Sequence, residues 1–570
     1  MPPHPFKPAI LPYASGGTSC FSDSHIEKIA RSDSTTAAWL EAYRQNGTGA
    51  PHVASGGFAT AFNPEPGKTY LAVDRFSICS LCYRVKNGQL LVAERADELA
   101  DLDDQLDPQA LYDYLYFHMI PAPRTVFKDV FRLPAGHYAL FENGLLTVAP
   151  WWKPHFSEKR HAPLGALKAE FRKILLDAVH DQLDGDTTGC FLSGGTDSST
   201  VAGLLREVTG KPARAFSIGF EAAGYDEMEY ARIAARHFGA EHHEYYVTPD
   251  DLVRSIQDVA ASYDQPFGNS SVVPAFYCAK VAREAGLTRI LAGDGGDELF
   301  GGNTRYAKQR VFGAYDQIPG LLRRGLLEPL LTGSALPGWI PGIKKAVSYV
   351  EQASVPMPDR MQMYNLLTRL GLEEVLTPEF LAQVDPKGPL SQQRETYLAG
   401  DGQTLVNRML WYDWKYTLAD NDLPKVLGAT SLAGLEVGFP LLDDRLVDFS
   451  LRLDPELKLK GLTLRWFFKE ALKDFLPPEI IAKKKHGFGL PFGVWAVGHS
   501  GLRSLALDSL DSLRGRGIVR ADFIDRLVKE YLPQHPGYYG ELVWILMMLE
   551  QWLGRSAHLR LSTSAIGSAA

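Results

Sequence analysis

The chain has 570 residues, of which 45% are hydrophobic and 22% charged, and it contains 10 Trp, 24 Tyr and 28 Phe. This composition excludes disordered, collagen-like and coiled-coil proteins, and the length predicts more than one compact domain. The 59 basic and 67 acidic residues give a net charge of −8, which supplies no general field for attracting nucleic acid or an anionic membrane.

The cysteines and the apolar runs indicate the cellular compartment. The 5 cysteines are too few and too scattered for a disulfide framework. The segment behind Met1 has no apolar run typical of a secretory signal, and the longest apolar stretch, Leu542–Leu549, is far shorter than the roughly 20 residues that a membrane span needs. We therefore expect a cytoplasmic protein without a membrane or nucleic-acid partner.

The pattern along the chain divides it into four parts. Residues 1–38 are rich in Pro, Ser, Thr and Gly and are predicted to be poorly ordered, as is the tail 559–570. Short alternating apolar segments with Asn-Gly turns predict a small strand-rich domain over 39–155. Over 160–558, short apolar strands alternate with amphipathic helices and then give way to helices, which predicts an α/β domain with a parallel sheet and a helical C-terminal part.

The first chemical signal follows the predicted strand Gly189–Leu192. There the chain reads Ser193-Gly-Gly-Thr-Asp-Ser198, and a helix begins. Glycines at such a turn let backbone N–H groups point at an anion, and the helix adds its positive end. The hydroxyl groups add donors, but Asp197 would repel a phosphate unless a divalent cation lies between them. The segment predicts bound phosphate plus magnesium, and the alternative is a turn without a ligand.

The second signal, Gly293-Asp-Gly-Gly-Asp-Glu-Leu-Phe-Gly-Gly302, follows the predicted strand Arg289–Ala292. In an open parallel sheet both loops lie at the carboxyl edge, where ligands bind. Three acidic residues among five glycines suit magnesium binding and the handling of a proton or charge at a reacting centre. An exposed flexible turn is the alternative.

Together the two loops resemble those of the asparagine synthetase family, the pyrophosphate-loop ligases that form an acyl-adenylate. Four further segments extend the resemblance over nearly the whole chain from residue 39. They are Asp74–Phe76 and Leu133–His137, similar to the family's glutaminase domain, and Glu436–Val447 and Leu476–Gly489, similar to its synthetase domain. The resemblance implies a degenerate N-terminal-nucleophile-type domain before a parallel-sheet synthetase domain.

The resemblance also implies a site and two cofactors, ATP and Mg²⁺. Asp197 and Asp297 would hold the metal, and Lys485 would stabilise charge on the adenylate phosphate and the departing pyrophosphate. Asp294 stands where many members have Glu, and its implied role is to position or deprotonate the amine. The implied ATP and pyrophosphate site consists of Phe191, Leu192, Ser193, Gly194, Gly195, Thr196, Asp197, Ser198, Ile218, Ala292 and Gly293.

Two departures from the family alter the expected substrates. Pro2 and Pro3 follow Met1 where a working glutaminase has a cysteine, so we expect no glutamine hydrolysis and a structural or partner-binding N-terminal domain. Gly428 and Gly438 replace two family arginines, the natural partners of a small carboxylate. Relatives that lack the cysteine include β-lactam synthetases and lasso-peptide macrolactam synthetases.

These observations predict an ATP-dependent, AMP-forming amide ligase acting on a small-molecule or peptide carboxylate. In the main interpretation, an amine of the substrate itself captures the acyl-adenylate, as in macrolactam or β-lactam formation, and a precursor peptide is the partner. The alternative is asparagine synthesis from aspartate, with ammonia or with nitrogen from a separate glutaminase. A further alternative is a non-catalytic nucleotide-binding scaffold.

Overall fold

The computed structural model describes residues 13–16, 20–32, 34–101, 105–158, 162–316, 318–323, 343–484, 489–555 and 560–561. Lys485, predicted to stabilise charge during adenylation, lies outside these residues. Within them, an antiparallel, strand-rich N-terminal domain precedes a parallel-sheet domain and a helical C-terminal part. The predicted fold class is therefore confirmed.

The N-terminal domain is built on an antiparallel sheet whose faces pack against different layers. Phe58 and Tyr70 on one face pack with Trp39, while Leu71 on the other packs with Tyr83 of a smaller sheet. This is the alternation expected of a strand buried on both faces. The five-stranded sheet has the order Tyr13–Gly16, Phe58–Phe62, Lys68–Val73, His137–Glu142 and Leu145–Pro150, and the smaller sheet has the order Gln89–Ala93, Cys82–Lys86 and Phe131–Arg132.

Secondary structure begins before residue 39, the predicted start of the domain. Helices cover Ser24–Ser32 and Thr35–Asn46, and Ile26 is fully buried in the same cluster as Trp39. The remaining elements of this domain are Pro108–Phe117, Gly47–Val53, Ala96–Glu98, the strand pair Cys20–Phe21 with Ala54–Ser55, and the strand pair Gln105–Leu106 with Arg560–Leu561.

The second domain contains the predicted parallel sheet. The two strands that precede the glycine loops lie within one residue of their predicted limits, because apolar strands between turn signals are locally encoded. The edge strand Glu436–Gly438 was not predicted as a strand. The order of the strands is Glu241–Val247, Arg214–Phe220, Thr188–Phe191, Arg289–Leu291 and Glu436–Gly438. The helices around this sheet are Leu164–His180, Thr196–Thr209, Met228–Phe238, Pro249–Ser262, Val272–Glu284 and Gly296–Phe300.

The C-terminal part is helical, as predicted. A π-helical stretch, Trp414–Asp422, connects two of its α-helices. Across the described residues, no helix combines the length and apolar character that crossing a membrane requires. The α-helices of this part are Thr304–Asp316, Gly320–Leu322, Ile343–Ser354, Leu366–Leu370, Leu372–Val375, Pro378–Leu381, Gly388–Ala399, Leu405–Asp413, Leu423–Leu432, Asp444–Arg452, Pro455–Lys458, Trp466–Ala471, Pro478–Ala482, Phe492–Gly498, Ser500–Arg514, Ala521–Arg526, Leu532–Gln534 and Pro536–Arg555.

Ion pairs join the two domains. Arg75 of the N-terminal domain lies 3.0 Å from Asp444 and 2.7 Å from Asp448 of the second domain. Arg132 pairs in the same way with buried Asp264. Burial alone would raise the pKa of Asp264, but the Arg132 guanidinium holds that pKa below its usual range. Removing one partner of the Arg132–Asp264 pair would leave a buried charge unpaired, so this contact favours the observed arrangement of the two domains.

Lys458, next to the interdomain connection, has an unusual environment for a lysine. It is fully buried, donates from Nζ to Asn407 Oδ1 at 3.0 Å and lies over the ring of Phe156. Burial lowers the pKa of Lys458 to about 7, although the Glu158 and Asp454 carboxylates act in the opposite direction. The folded environment therefore disfavours the charged form of Lys458 at neutral pH.

We expect the free energy of unfolding of Lys458→Met to depend less on pH between about pH 7 and about pH 9 than that of the wild type, because the substitution removes a buried titrating group. An unfolded lysine binds a proton up to about pH 10.4, so between that pH and the folded-state pKa the unfolded chain binds more protons. Through this group, the free energy of unfolding of the wild type should therefore rise with pH by up to about 1.4 kcal/mol per pH unit. Urea denaturation of both proteins at about pH 7 and about pH 9 measures this, and equal pH slopes would contradict it.

Candidate active site

The two glycine loops meet at the carboxyl edge of the parallel sheet, as predicted. Their strands are neighbours, with Cys190 paired to Leu291. A Cβ placed on Gly293 would lie 2.8 Å from the Ser198 backbone nitrogen and 3.1 Å from Asp197 Cβ. The second loop can approach the first this closely only because residue 293 has no side chain.

The first loop has the geometry of an anion cradle. Gly194 has a φ of 66°, and a Cβ there would lie 2.6 Å from Tyr230 Cβ. The Ser193 N–H donates to Ser198 Oγ at 3.1 Å, which fixes the turn. The helix begins at Thr196 with Gly195 as its N-cap, so no side chain at the cap competes for the first N–H groups. Such a helix start suits a phosphate.

Asp197 and Asp297 are brought together, one from each loop, across the guanidinium of Arg465. Nη1 of Arg465 donates at 2.8 Å to Asp197 Oδ2, Asp297 Oδ1 and Thr196 Oγ1, and Nη2 donates to Asp197 Oδ1. Burial would lower the pKa of Arg465, but the two carboxylates raise it. The sequence analysis did not single out this residue, which comes from a distant segment.

The two carboxylates fit a divalent cation that is shared with a nucleotide. Carboxylate oxygens are suitable magnesium ligands, and Mg²⁺ at nucleotide sites is usually held by one or two carboxylates plus phosphate oxygens. Within the described ranges, no cluster of three or more His, Cys, Asp or Glu side chains could hold a metal alone. Asp197 and Asp297 could therefore serve as a partial ligand set, which phosphate oxygens would complete.

The residues predicted to line the nucleotide site lie at neighbouring strand ends. Phe191 and Ile218 are partly buried against one apolar cluster that also includes Phe216. Ala292 donates its N–H to Gly438 O at 2.8 Å, which ties the start of the second loop to the edge strand. The structure thus brings the predicted nucleotide residues together on one edge of the sheet.

Asp294 is accompanied by a lysine that the sequence analysis missed. Lys425 Nζ lies 3.5 Å from Asp294 Oδ1 and 3.0 Å from Asp422 Oδ1. Burial raises the pKa of Asp294, and the Lys425 ammonium opposes that rise. Lys425 follows the π-helical stretch Trp414–Asp422, a feature frequent near functional sites. The pair places a carboxylate and an ammonium beside the second loop.

A second lysine contacts the first loop directly. Lys483 Nζ lies 3.1 Å from Glu227 Oε2 and 3.4 Å from the Gly194 carbonyl oxygen, and it lies over the ring of Tyr230. Its side chain is 8% exposed. In the sequence analysis Lys483 had no role of its own and lay within the segment Leu476–Gly489, which also contains Lys485. The position of Lys483 shows that this segment lies against the anion cradle.

The positions of the two replaced arginines are filled by other side chains. A Cβ on Gly428 would lie 2.5 Å from Tyr263 Cζ, and a Cβ on Gly438 would lie 2.6 Å from Gln182 Oε1. The Tyr263 hydroxyl donates to Pro424 O at 3.1 Å, and its ring stacks on Phe267. Neighbouring side chains pack directly on these glycines: the Tyr263 ring would have to shift for a side chain at residue 428, and the end of Gln182 would have to shift for one at residue 438.

A cavity of about 1560 Å³ connects the N-terminal domain with the parallel-sheet domain. Ser55, Gly57 and Cys79 line its N-terminal side, and Leu427 and Gly438 line the other. Because Gly438 also accepts the hydrogen bond from the start of the second loop, the cavity wall is continuous with the candidate site.

Comparisons with known proteins agree with this architecture. The family model "Asparagine synthase" matches residues 170–554, and the model "Glutamine amidotransferase domain" matches residues 24–152. Asparagine synthetase [glutamine-hydrolyzing] 1 of Bacillus subtilis is 27% identical over 526 residues, which cover 91% of this chain and 80% of the relative. Putative asparagine synthetase [glutamine-hydrolyzing] 2 of Methanocaldococcus jannaschii is 30% identical over 405 residues, covering 66% and 73%. Amidase chry2 of Gibberella zeae is 27% identical over 252 residues, covering 40% and 37%.

Proposed function

Since the chain belongs to the asparagine synthase family and is an ATP-dependent carbon–nitrogen ligase of that type, we propose that it joins a carboxylate to an amine through an acyl-AMP. The observation that carries this proposal is the contact between the two glycine loops, which brings Asp197 and Asp297 to the same guanidinium and supports a shared cation position between them. Backbone N–H groups and hydroxyls of the first loop bind the leaving pyrophosphate. Bound Mg²⁺ supplies charge neutralisation for the phosphates there.

In the first step a carboxylate oxygen of the substrate attacks the α-phosphorus of ATP, and the bond to pyrophosphate breaks. The first loop and Lys485 stabilise the charge that leaves with pyrophosphate. In the second step an amine nitrogen attacks the acyl carbon, the bond to AMP breaks, and Asp294 accepts the proton that the amine loses. Lys425 beside Asp294 keeps that carboxylate charged and in place. Positioning and charge stabilisation supply most of the rate.

The proposed carboxylate is aspartate, the proposed amine is ammonia, and the product is then asparagine. Relatives with the printed name asparagine synthetase align with most of this chain, which supports asparagine formation more strongly than macrolactam or β-lactam formation. The cavity between the domains supports entry of a small amine beside Gly438. Ammonia from solution, or from a separate glutaminase, can enter by this path.

One observation favours a second candidate, amide formation within a peptide or a β-amino acid that carries its own amine. Tyr263 and Gln182 fill the positions where the family arginines would lie, so the pocket has lost two guanidinium groups that recognise a small carboxylate. A substrate that brings its own amine needs neither ammonia nor glutamine.

Pyrophosphate release with ATP and Mg²⁺ tests the proposal, together with chromatographic detection of asparagine. The arms are aspartate plus ammonia, aspartate plus glutamine, and no substrate, with Asp197→Ala as the blank. We expect asparagine with ammonia, and the glutamine arm reports whether the N-terminal domain releases nitrogen. ATP binding without turnover in any arm would overturn aspartate as the substrate and favour the second candidate. If neither ATP nor Mg²⁺–ATP binds, both candidates are overturned.

A further inference from the structure

The guanidinium of Arg465 lies at the position that a cation shared by Asp197 and Asp297 would take. It donates hydrogen bonds to three of the four oxygen atoms of these carboxylates, and the residue is 5% exposed. Charges so far from water are weakly screened, so the contacts are strong when both partners are present. The protein therefore carries its own counter-ion at this position.

The surrounding backbone is shaped to admit this side chain. A Cβ on Gly296 would lie 2.9 Å from Arg465 Nη2, and a Cβ on Gly302 would lie 2.5 Å from Arg465 Cδ. Both glycines of the second loop therefore leave space for the guanidinium as well as for the two carboxylates. The loop sequence that suggests a metal site is equally suited to hold an arginine.

Arg465 itself is held with some strain. Its backbone has a φ of 55° and a ψ of 37°, the left-handed region that a residue with a side chain rarely adopts. Its Nε is buried and has no hydrogen-bond partner among the described residues. The ion pairs to Asp197 and Asp297 offset these costs. The Arg465 side chain can therefore leave these carboxylates when other negatively charged groups offer it equivalent ion pairs.

We propose that Arg465 is the resting counter-ion of the metal position, and that it leaves Asp197 and Asp297 only when a divalent cation arrives together with nucleotide phosphates. The proposal rests on the proposed function, in which these two carboxylates bind that cation. A guanidinium and a metal ion cannot both lie between the same carboxylates. A bare cation would leave Arg465 buried and unpaired, whereas phosphate oxygens offer the guanidinium new partners.

The proposal predicts how metal binding depends on nucleotide. Apparent affinity falls in proportion to the fraction of molecules in the binding-competent state, so a guanidinium that occupies the position weakens binding of a bare cation. Arg465→Met keeps most of the side-chain volume and removes the charge. We expect this variant, without nucleotide, to bind Mn²⁺ at least about tenfold more tightly than the wild type, a difference of about 1.4 kcal/mol.

Electron paramagnetic resonance of Mn²⁺ with the full-length protein measures this without any turnover. The variants are Arg465→Met, the same change combined with Asp197→Asn, and Arg516→Met, which breaks the partly buried pair with Glu550 away from the loops. We expect the gain in Arg465→Met, its loss in the double variant, and no gain in Arg516→Met. Wild type should bind Mn²⁺ tightly only when a non-hydrolysable α,β-methylene ATP is added.

Three results separate the possibilities. Equal Mn²⁺ affinity of wild type and folded Arg465→Met without nucleotide overturns the proposal. If Arg465→Met fails to fold, as judged by circular dichroism, the wild type alone decides, because Mn²⁺ binding that does not depend on nucleotide also overturns it. Absence of nucleotide binding in calorimetry, with or without metal, overturns the proposed function instead.

Discussion

We expect Gly194→Ala to lower pyrophosphate release by at least about 10²-fold, the scale of loss for a site displaced by about 1 Å. Gly194 adopts a φ of 66°, which is unfavourable for alanine, and a Cβ there would lie 2.6 Å from Tyr230 Cβ and would overlap the adjoining backbone. Backbone atoms cannot move aside as a flexible side chain can. The loop must therefore shift, and its N–H groups then no longer point at one phosphate position.

Gly195→Ala is the matched control for this prediction. The nearest atom to a Cβ on Gly195 is Ser193 Oγ at 3.4 Å, and the residue has a φ of −82°. Alanine is a weaker N-cap than glycine, so we expect a small loss of stability and retention of most activity. Calorimetric titration with ATP, beside the pyrophosphate assay, measures both variants. Similar ATP affinity and similar pyrophosphate release in Gly194→Ala and Gly195→Ala would contradict the role assigned to the loop geometry.

Local sequence was sufficient to predict the sheet and both glycine loops. Strand Arg289–Leu291 begins at its predicted first residue, and Gly194 lies at the predicted strand-to-helix turn. These features depend on residues adjacent in sequence, where turn chemistry and hydrophobic periodicity act directly. The position of Asp197 opposite Asp297 followed from the rule that parallel strands present their carboxyl ends on one edge.

The positions of the basic side chains in the site were not predictable in the same way. Arg465 reaches the loops from a segment distant in sequence, and Lys425 reaches Asp294 from the helix Leu423–Leu432, which follows a π-helical stretch that no local pattern indicated. An arginine or lysine in an amphipathic segment has the same local signature whether it is solvated or buried against a carboxylate. Only the tertiary structure distinguishes the two cases.

The N-terminal boundary shows the same dependence on tertiary contacts. Ile26 lies in a segment whose composition predicts poor order, yet it is fully buried in the cluster around Trp39. That cluster is completed by Tyr70 and Trp151, which come much later in the chain. A short helix of low apolar content gains most of its stability from such packing, so its own sequence gives little sign of it.

The largest effect on the second half-reaction is expected from Asp294→Asn. Asparagine has nearly the volume of aspartate but cannot accept the proton that the amine loses. Removal of a general base costs typically about 10²–10⁴-fold, so we expect amide formation to fall by that factor. Exchange of labelled pyrophosphate into ATP, which reports acyl-AMP formation alone, should persist with the carboxylate that the pyrophosphate-release assay identifies.

Asp422→Asn separates a role of Asp294 in catalysis from a role in holding Lys425. Asp422 lies 3.0 Å from the same ammonium that lies 3.5 Å from Asp294, so each substitution removes one of its carboxylate partners. If Asp294 accepts the proton, only Asp294→Asn should lower amide formation strongly while exchange continues. If both variants lose exchange to a similar extent, the lysine and its two carboxylates act in adenylation instead, because amine capture cannot affect a step that precedes it.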